Sequence, residues 1–490
     1  MRKLWSPCLH LSPSPLHLRA FWRLAALLLL GLVAVAQGDD WPTFGHDNRR
    51  SHVTNEHLAL PLAPEWKYAG PKPRTAWPGP AKWDAYARIK NLVSMRNFDP
   101  AYFVIAVGDR VWFGSSSDDG VHCLDAATGT PVWTTTTGGP VRVAPTWHDK
   151  RIYVGSDDGK AYCLDAATGR EHWSQSPAEK EKWLVFNGKM ISTWPCRTGV
   201  LVQNGLAYCG MSLLPWEISF LCAFDLDTGR TDAAGGFLVK HTAFTMQGPL
   251  TASKDRLLIS QGRQQPTVCE LRTGKSLGTF GKRGNGGVWG LVTPEGIFIH
   301  GRGQNHGSDG ELREFDAKTR QRLLRFPKAR RLAIAGSMVY LLGDGKLRAL
   351  DWERSLPLSR AHGPASAKLR SAEAKLKKLR KKGKKEVVAK LRAEISELRK
   401  RQTALRKQVA DCELWRVRTD CAQDLIVTAK LVFAGGDGKV TAFDRKSGDK
   451  KWTAEVDGKA CGLAAAGGRL FVSTDSGSIH TFVSPRSTGE

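Results

Sequence analysis

The heptapeptide Cys-Leu-Asp-Ala-Ala-Thr-Gly occurs twice, at residues 123–129 and 163–169, forty positions apart. Each copy follows an Asp-Gly pair (Asp119–Gly120, Asp158–Gly159), and each is followed by a tryptophan, Trp133 or Trp173, four residues after its glycine. A repeat of about forty residues is one supersecondary unit that cannot bury its own apolar face, so several copies must stack. The unit reads as strand, Asp-Gly turn, strand, Asp-x-x-Thr-Gly turn, and a strand carrying Trp. The glycines suit tight hairpins because they accept positive φ without a Cβ clash. Weaker copies lie at Asp225–Gly229, Glu270–Gly274, Asp316–Arg320 and Asp351–Glu353. A strong copy returns at Lys439–Gly448, followed by Trp452. An eighth begins at Leu470–Ser473, turns at Asp475–Gly477 and runs out at Val483 before a Trp strand can form.

The missing strand has a candidate at the other end of the chain. Pro64–Tyr68 carries Trp66, and no earlier strands of a unit precede it. Placing residues 64–68 in the eighth unit closes a ring and removes the bare sheet edges that an open solenoid would leave. The expectation is an all-β, eight-bladed propeller of four-stranded blades, closed by this N-terminal strand and carrying an inserted α-helical coiled-coil hairpin. The expected parts are a signal peptide over 1–36, propeller over 37–365, a basic hairpin over 366–411, and the last blades over 412–490.

The blade motif Asp-Ala-x-Thr-Gly-x-x-x-Trp, with Asp40–Gly45 (Asp-Trp-Pro-Thr-Phe-Gly) near the start, resembles the pyrroloquinoline-quinone-like (PQQ-like) propeller repeat. That family includes quinoprotein alcohol dehydrogenases and the lipoprotein scaffold of the outer-membrane β-barrel assembly machine. The resemblance spans roughly residues 40–483 less the insertion, and lies nearer to the non-enzymatic scaffold than to the dehydrogenases. The dehydrogenase branch implies an adjacent-cysteine disulfide against the quinone and a calcium held by acidic and amide side chains. This chain has no Cys-Cys pair and no Cys-x-x-Cys-His. PQQ and calcium are therefore disfavoured, no cofactor is expected, and the resemblance implies fold rather than activity.

Arg2, Lys3, Arg19 and Arg23 precede an apolar run from Leu24 to Val35, and Ala34–Ala36 fits a cleavage site. The run is short for a membrane span. A cleaved signal near Ala36 makes the expected protein periplasmic or secreted, and not an integral membrane protein after cleavage. Of the nine remaining cysteines, Cys123, Cys163, Cys222 and Cys269 precede the Asp turns, and Cys209 ends a strand. These are interior positions where a small hydrophobe packs. Cys421 can pair with Cys461 or with Cys412 in an oxidising compartment. No Cys-x-x-Cys zinc pattern occurs.

The formal net charge is +26. Residues 366–411 contain 17 Lys or Arg and 5 Asp or Glu, a net of 17 − 5 = +12. They lack Trp, Tyr, Phe and Pro, and their apolar residues step by three and four: Leu369, Ala372, Leu376, Leu379, then Val388, Leu391, Ile395, Leu398, Leu405, Val409. That is a coiled-coil pattern, and its phase slips at Gly383, where the helix can fold back. The insert can clamp an anionic envelope surface, pack on another helix, or stand as a solvated spacer. Nucleic acid is not an expected partner, because base-stacking aromatics are absent from the insert.

Other chemistry is thin. Thr273–Ser276 resembles the end of a phosphate loop, but its required first glycine falls on Cys269. Asp225–Gly229 resembles a calcium loop, but positions six and twelve are Arg230 and Gly236. His300, Asn305, His306 and Asp309 form a polar cluster readable as a long turn or as a ligand site at the channel mouth. Trp194–Pro195 and Pro215–Trp216 lie in loops longer than a blade needs and suit either mutual packing or recognition of a sugar or peptide. No catalytic residue, metal ligand or cofactor-binding residue is assigned. The expected function is an exported, non-enzymatic scaffold that binds envelope proteins or an anionic envelope surface. The alternatives are a quinoprotein-like oxidoreductase with a degenerate site, or a polysaccharide or small-ligand binding module.

Overall fold

A computed structural model of the chain describes residues 38–77, 97–262, 264–281, 286–301, 310–379 and 383–485. The expected signal segment lies outside the described residues. The rest forms an eight-bladed propeller of four-stranded antiparallel blades. Blade 1 comprises Val104–Val107, Arg110–Gly114, Gly120–Asp125 and Pro131–Thr136. Blades 2 to 6 follow at 146–175, 201–241, 251–279, 289–327 and 329–418. The long strand Lys450–Ala466 ends blade 7 and then begins blade 8. First strands of neighbouring blades touch around the ring, between blades 1 and 2, 2 and 3, 4 and 5, 6 and 7, and 8 and 1.

Ala63–Ala69 completes blade 8 by pairing with Ser478–Val483, with Trp66 opposite Thr481. Glu65 fastens the closure with a bidentate ion pair to Arg469 at 2.7 and 2.8 Å. The repeat motif locks one blade to the next. Asp125 Oδ1 accepts the Ala127 and Thr128 amides and the Thr128 hydroxyl, each at 3.0 Å. That holds a turn whose last residue, Gly129, lies at φ +70°. The Trp66 ring lies on this glycine, so a Cβ there would meet the ring at 2.6 Å. The indole N–H donates to the Ala126 carbonyl at 2.9 Å. The same arrangement places Trp133 on Gly169 and Trp173 on Gly229, with indole bonds to the carbonyls of Ala166 and Leu226. The Trp415 ring also lies on Gly448, without the indole bond. Only glycine serves here, since both the positive φ and the ring contact exclude a side chain.

Residues 39–58 run across the Thr-Gly-turn end of the channel. Trp41 pairs with Ala106, Pro42 accepts the Trp147 amide, and Asn48 bonds Val202 and Ala252. Further on, Arg49 accepts Val292, His52 and Thr54 bond Val427, and Glu56 holds the Gly467 and Gly468 amides. The arm thus stitches blades 1 to 5, 7 and 8. His46, Arg50 and His52 take left-handed φ values of 76°, 57° and 57° to make the path.

The insertion differs from expectation at its start. Helix α1 spans Trp352–Leu379 rather than beginning at Ser366, and α2 spans Lys385–Ala410. Blade 6 has no Thr-Gly turn after Asp351, and the first turns of α1 take its place against blade 5. Trp352 is buried with Leu312, Leu323 and Leu350. His362 Nδ1 donates to the Leu323 carbonyl at 2.7 Å, and the Ser359 hydroxyl donates to Glu314. A Cβ on Gly363 would meet Leu323 at 2.8 Å, so the helix sits as close to the blade edge as glycine permits. Pro357 and Pro364 lie inside α1, where packing on blade 5 overrides their poor helix propensity. Beyond this root the helices run antiparallel, with Leu369, Ala372, Leu376 and Leu379 against Leu391, Ile395 and Leu398. Arg399 bonds Glu373 across the pair.

All nine described cysteines are buried free thiols, including Cys412, Cys421 and Cys461.

Two outcomes follow. Trp66→Ala should cost roughly 2–4 kcal/mol in thermal or denaturant unfolding, since it removes a packed ring and an indole bond from the joint closing the circle. Burial raises the Glu314 carboxyl to about 7, from 4.5, with the Ser359 bond pulling the other way. Its folded form therefore holds a proton that the unfolded form has lost. Stability should fall between about pH 4.5 and 7 by up to roughly 2–3 kcal/mol, and Glu314→Gln should flatten that slope in a pH series of melting curves.

Candidate interaction face

The Asp-Gly turns and the connections between blades share the face opposite the Thr-Gly turns. Four buried charges organise it. Arg142, between blades 1 and 2, reaches Asp99 at 2.7 Å and Asp157 at 2.6 Å. Arg197, before blade 3, grips Asp157 with two bonds of 3.0 and 2.9 Å. Burial opposes the charge on Arg142, but Asp157 and Asp99 outweigh it and raise its pKa. Burial likewise pushes Asp157 up, and the two guanidiniums outweigh it, so its pKa is lowered. Asp99 also accepts the Ala76 amide, and Arg142 donates to the Arg74 carbonyl, tying the segment before blade 1 into the same knot.

That knot seats a two-stranded hairpin, Trp183–Phe186 and Lys189–Ser192, on the turns of blades 1 and 2. The Arg197 guanidinium lies 5.7 Å from the rings of both Trp77 and Phe186. Asn187 donates to the Thr75 carbonyl, and Lys189 pairs with Asp119 at 2.8 Å. Strand alternation turns Leu184, Phe186 and Ile191 inward and leaves Trp183, Val185 and Met190 outward. Val185 and Met190 are cross-strand partners and are 73% and 55% exposed. The Trp-Pro loops divide between the two expected roles. Trp194 is buried against Phe220 and donates to the Ile218 carbonyl, whereas Trp216 stands 77% exposed with Ile218 beside it. An outward apolar face on an anchored hairpin is more than folding requires.

On the axis, a cavity of about 260 Å³ lies between the arm residues Phe44 and His52 and the blade ends carrying Trp289, Arg331, Asp424, Lys459 and Cys461. Asp424 bonds Arg331 at 3.4 Å and accepts the Leu463 amide at 2.9 Å. Burial raises its carboxyl to about 6, against the pull of Arg331. Glu311, also in the wall, pairs with Arg313 and Arg325.

The family model described as outer membrane protein assembly factor BamB matches residues 99–323 and 216–484. The chain belongs to this family. Among solved structures, the computationally designed Ika8 protein superposes with a TM-score of 0.51 at 13% identity, covering 79% of this chain and 96% of the other. Quinohemoprotein alcohol dehydrogenase ADHIIG from Pseudomonas putida HK5 superposes at 0.53 with 11% identity, covering 92% and 82%. BamB from Moraxella catarrhalis gives 0.36 at 11% identity, covering 77% and 82%. At such identities the likeness speaks for the fold alone. No curated protein matches the chain.

The axial cavity of this BamB-type chain does not fit the calcium and quinone that the dehydrogenase resemblance implies. Of its carboxylates, Asp424 and Glu311 are already matched by guanidiniums, and Asp475 accepts the Lys459 amide at 2.8 Å. Among the described residues no three His, Cys, Asp or Glu side chains are grouped to hold a metal ion. Cys461 is a single thiol that burial pushes up to about 12. His300 is a core ring that stacks on Phe315 and donates Nδ1–H to the Gly286 carbonyl. Asn305, His306 and Asp309 lie outside the described residues. Thr273 and Gly274 form a blade turn, and Asp225 caps its own turn through Asp227 and Thr228. Sequence reasoning missed the charge knot, whose members are scattered over 99–197. A signal was present in the pairing of Asp157 with an Arg in each flanking connection.

The knot and the patch should respond oppositely to mutation. Arg197→Ala leaves buried carboxylate charge unmatched and should cost about 3–5 kcal/mol. Trp216→Ser or Val185→Ser should change stability by no more than about 0.5 kcal/mol in the same assay.

Proposed function

We propose that this chain is a non-enzymatic scaffold of the cell envelope, exported by a signal removed near Ala36, that serves outer-membrane protein assembly. Its family's description supports the setting, and the departure from the calcium-quinone donor set supports a role without redox chemistry. The carrying observation is the outward apolar surface of Trp183, Val185 and Met190, fixed by a buried charge knot, together with exposed Trp216 and Ile218 in the blade 3 turn of the same face. A rigid, anchored apolar patch loses little entropy on docking and is suited to a protein partner. The basic helical hairpin, rooted at the opposite face, is free to meet an anionic envelope surface while the loop face holds protein.

Photo-crosslinking residues placed at Val185 and Trp216 test this reading, with Val132 on the outer strand of blade 1 as the exposed control. The expected result is a discrete adduct, identified by mass spectrometry as an outer-membrane assembly component, from the loop-face positions only. Equal labelling at Val132, or no adduct from either loop-face position, would contradict it. Added PQQ and calcium should leave the absorbance spectrum and the melting temperature unchanged.

A further inference from the structure

A second cleft, of about 500 Å³, lies where the helical hairpin meets the rim of blades 5 and 6. Its walls carry Arg322, Arg325, Arg348, Arg406 and Arg416, and its one carboxylate is Glu413. Glu413 is taken by Arg416 at 2.7 Å and Arg348 at 3.8 Å. Arg325 pairs outside the cleft with Glu311 at 3.0 Å. Arg322 and Arg406 are left without a carboxylate partner among the described residues. Arg322 is only half-exposed, and burial, reinforced by Arg370, Arg325 and Arg313 and opposed by Glu311, pulls its guanidinium down to about 10.

Crowding guanidiniums into a half-buried cleft costs free energy that Glu413 and Glu311 offset only in part. The cleft floor is also fixed by hydrogen bonds. His362 and Ser366 of α1 and Gln402 of α2 form a bonded chain that ends on the Leu323 carbonyl. That chain ties α2 through α1 to the blade edge, while Leu323, Phe326 and Val409 supply apolar wall beside the arginines. We infer that this cleft is a binding site for a phosphate-bearing group, held by Arg322 and Arg406 at the junction of hairpin and propeller. Planar guanidiniums suit phosphate oxygens in bidentate fashion, and the volume admits a phosphate ester with its alcohol body rather than the bare ion alone. The site is distinct from the loop-face patch and stands whether or not that patch docks a protein. The phosphate can belong to a soluble ester or to a lipid headgroup, and the two are separable.

The test uses the full mature chain with glycerol phosphate in calorimetry, and with vesicles of phosphatidylglycerol in phosphatidylcholine in a flotation assay. Saturable binding of glycerol phosphate is expected at a Kd on the order of 0.1–1 mM. Arg406→Gln and Arg322→Gln should each weaken it by about tenfold or more. Arg406 is exposed on its helix, so its variant keeps the fold even if the Arg322 variant does not, and melting curves monitor both. Lys384→Gln with Lys385→Gln, at the far turn of the hairpin, should leave glycerol phosphate binding unchanged. Vesicle binding lost in Arg406→Gln identifies the lipid headgroup as the source, and retained vesicle binding with lost glycerol phosphate binding identifies a soluble ester. Absence of saturable binding by the parent chain, or full binding by Arg406→Gln, would overturn the inference.

Discussion

The ring of blades is held first by an aromatic ring lying on a glycine of the next blade, a tryptophan at four joints and Phe237 on Gly274 at a fifth. The contact couples two requirements in one place. The Asp carboxylate folds a turn whose last residue must take positive φ, and the missing side chain leaves a flat seat for an indole. Because the ring belongs to one blade and the seat to its neighbour, each such joint couples a blade to the next. Trp66 carries the lock across the chain ends, so the circle closes through the same contact that joins consecutive blades. The lock is absent between blades 4 and 5, where Arg320 stands at the glycine position, and between blades 7 and 8, where Trp452 donates to the Leu62 carbonyl. Between blades 5 and 6 the root of α1 fills the gap with Trp352, Ser359, His362 and Gly363.

A ring fixed in this way leaves its two faces free for different work. The arm of residues 39–58 spends its polar groups sealing one end of the channel. The other face carries a charge knot that would be expensive to bury without purpose, and its purpose in the fold is to seat a hairpin and its loops. Rigid blades thereby present an apolar patch at one face and a cationic hairpin rooted at the other. The propeller supplies position, and the departures from its repeat supply the candidate functions.

Those departures also mark where reading the sequence succeeded and failed. Cys-Leu-Asp-Ala-Ala-Thr-Gly and the spare Trp66 suffice to read eight blades and their closure, because a local turn and a periodic ring encode the contact directly. The seam of Leu369 to Leu379 against Leu391 to Leu398 was legible for the same reason, as a period. The first half of α1 was not, since Pro357, Gly363 and Pro364 speak against a helix and only packing on blade 5 makes one. Nor was the arm, whose left-handed His46, Arg50 and His52 follow a path set by seven blades rather than by neighbours in sequence. The knot of Asp99, Arg142, Asp157 and Arg197 and the cleft around Arg322 are long-range assemblies of charges. No local period announces them.

A double-mutant cycle on one lock addresses the central claim most directly. Gly169→Ala and Trp133→Ala are combined, and unfolding free energies are measured for the parent, both single variants and the pair. Gly169 sits at φ +71°, and an added Cβ would stand 2.4 Å from the Trp133 ring. Part of the alanine cost is backbone strain, which persists in either background, and the remainder is the ring clash. The account predicts that Gly169→Ala costs at least about 1 kcal/mol less when Trp133 is already alanine. Additive costs would mean that ring and glycine act independently, and the ring-on-glycine contact would not be what holds blade to blade.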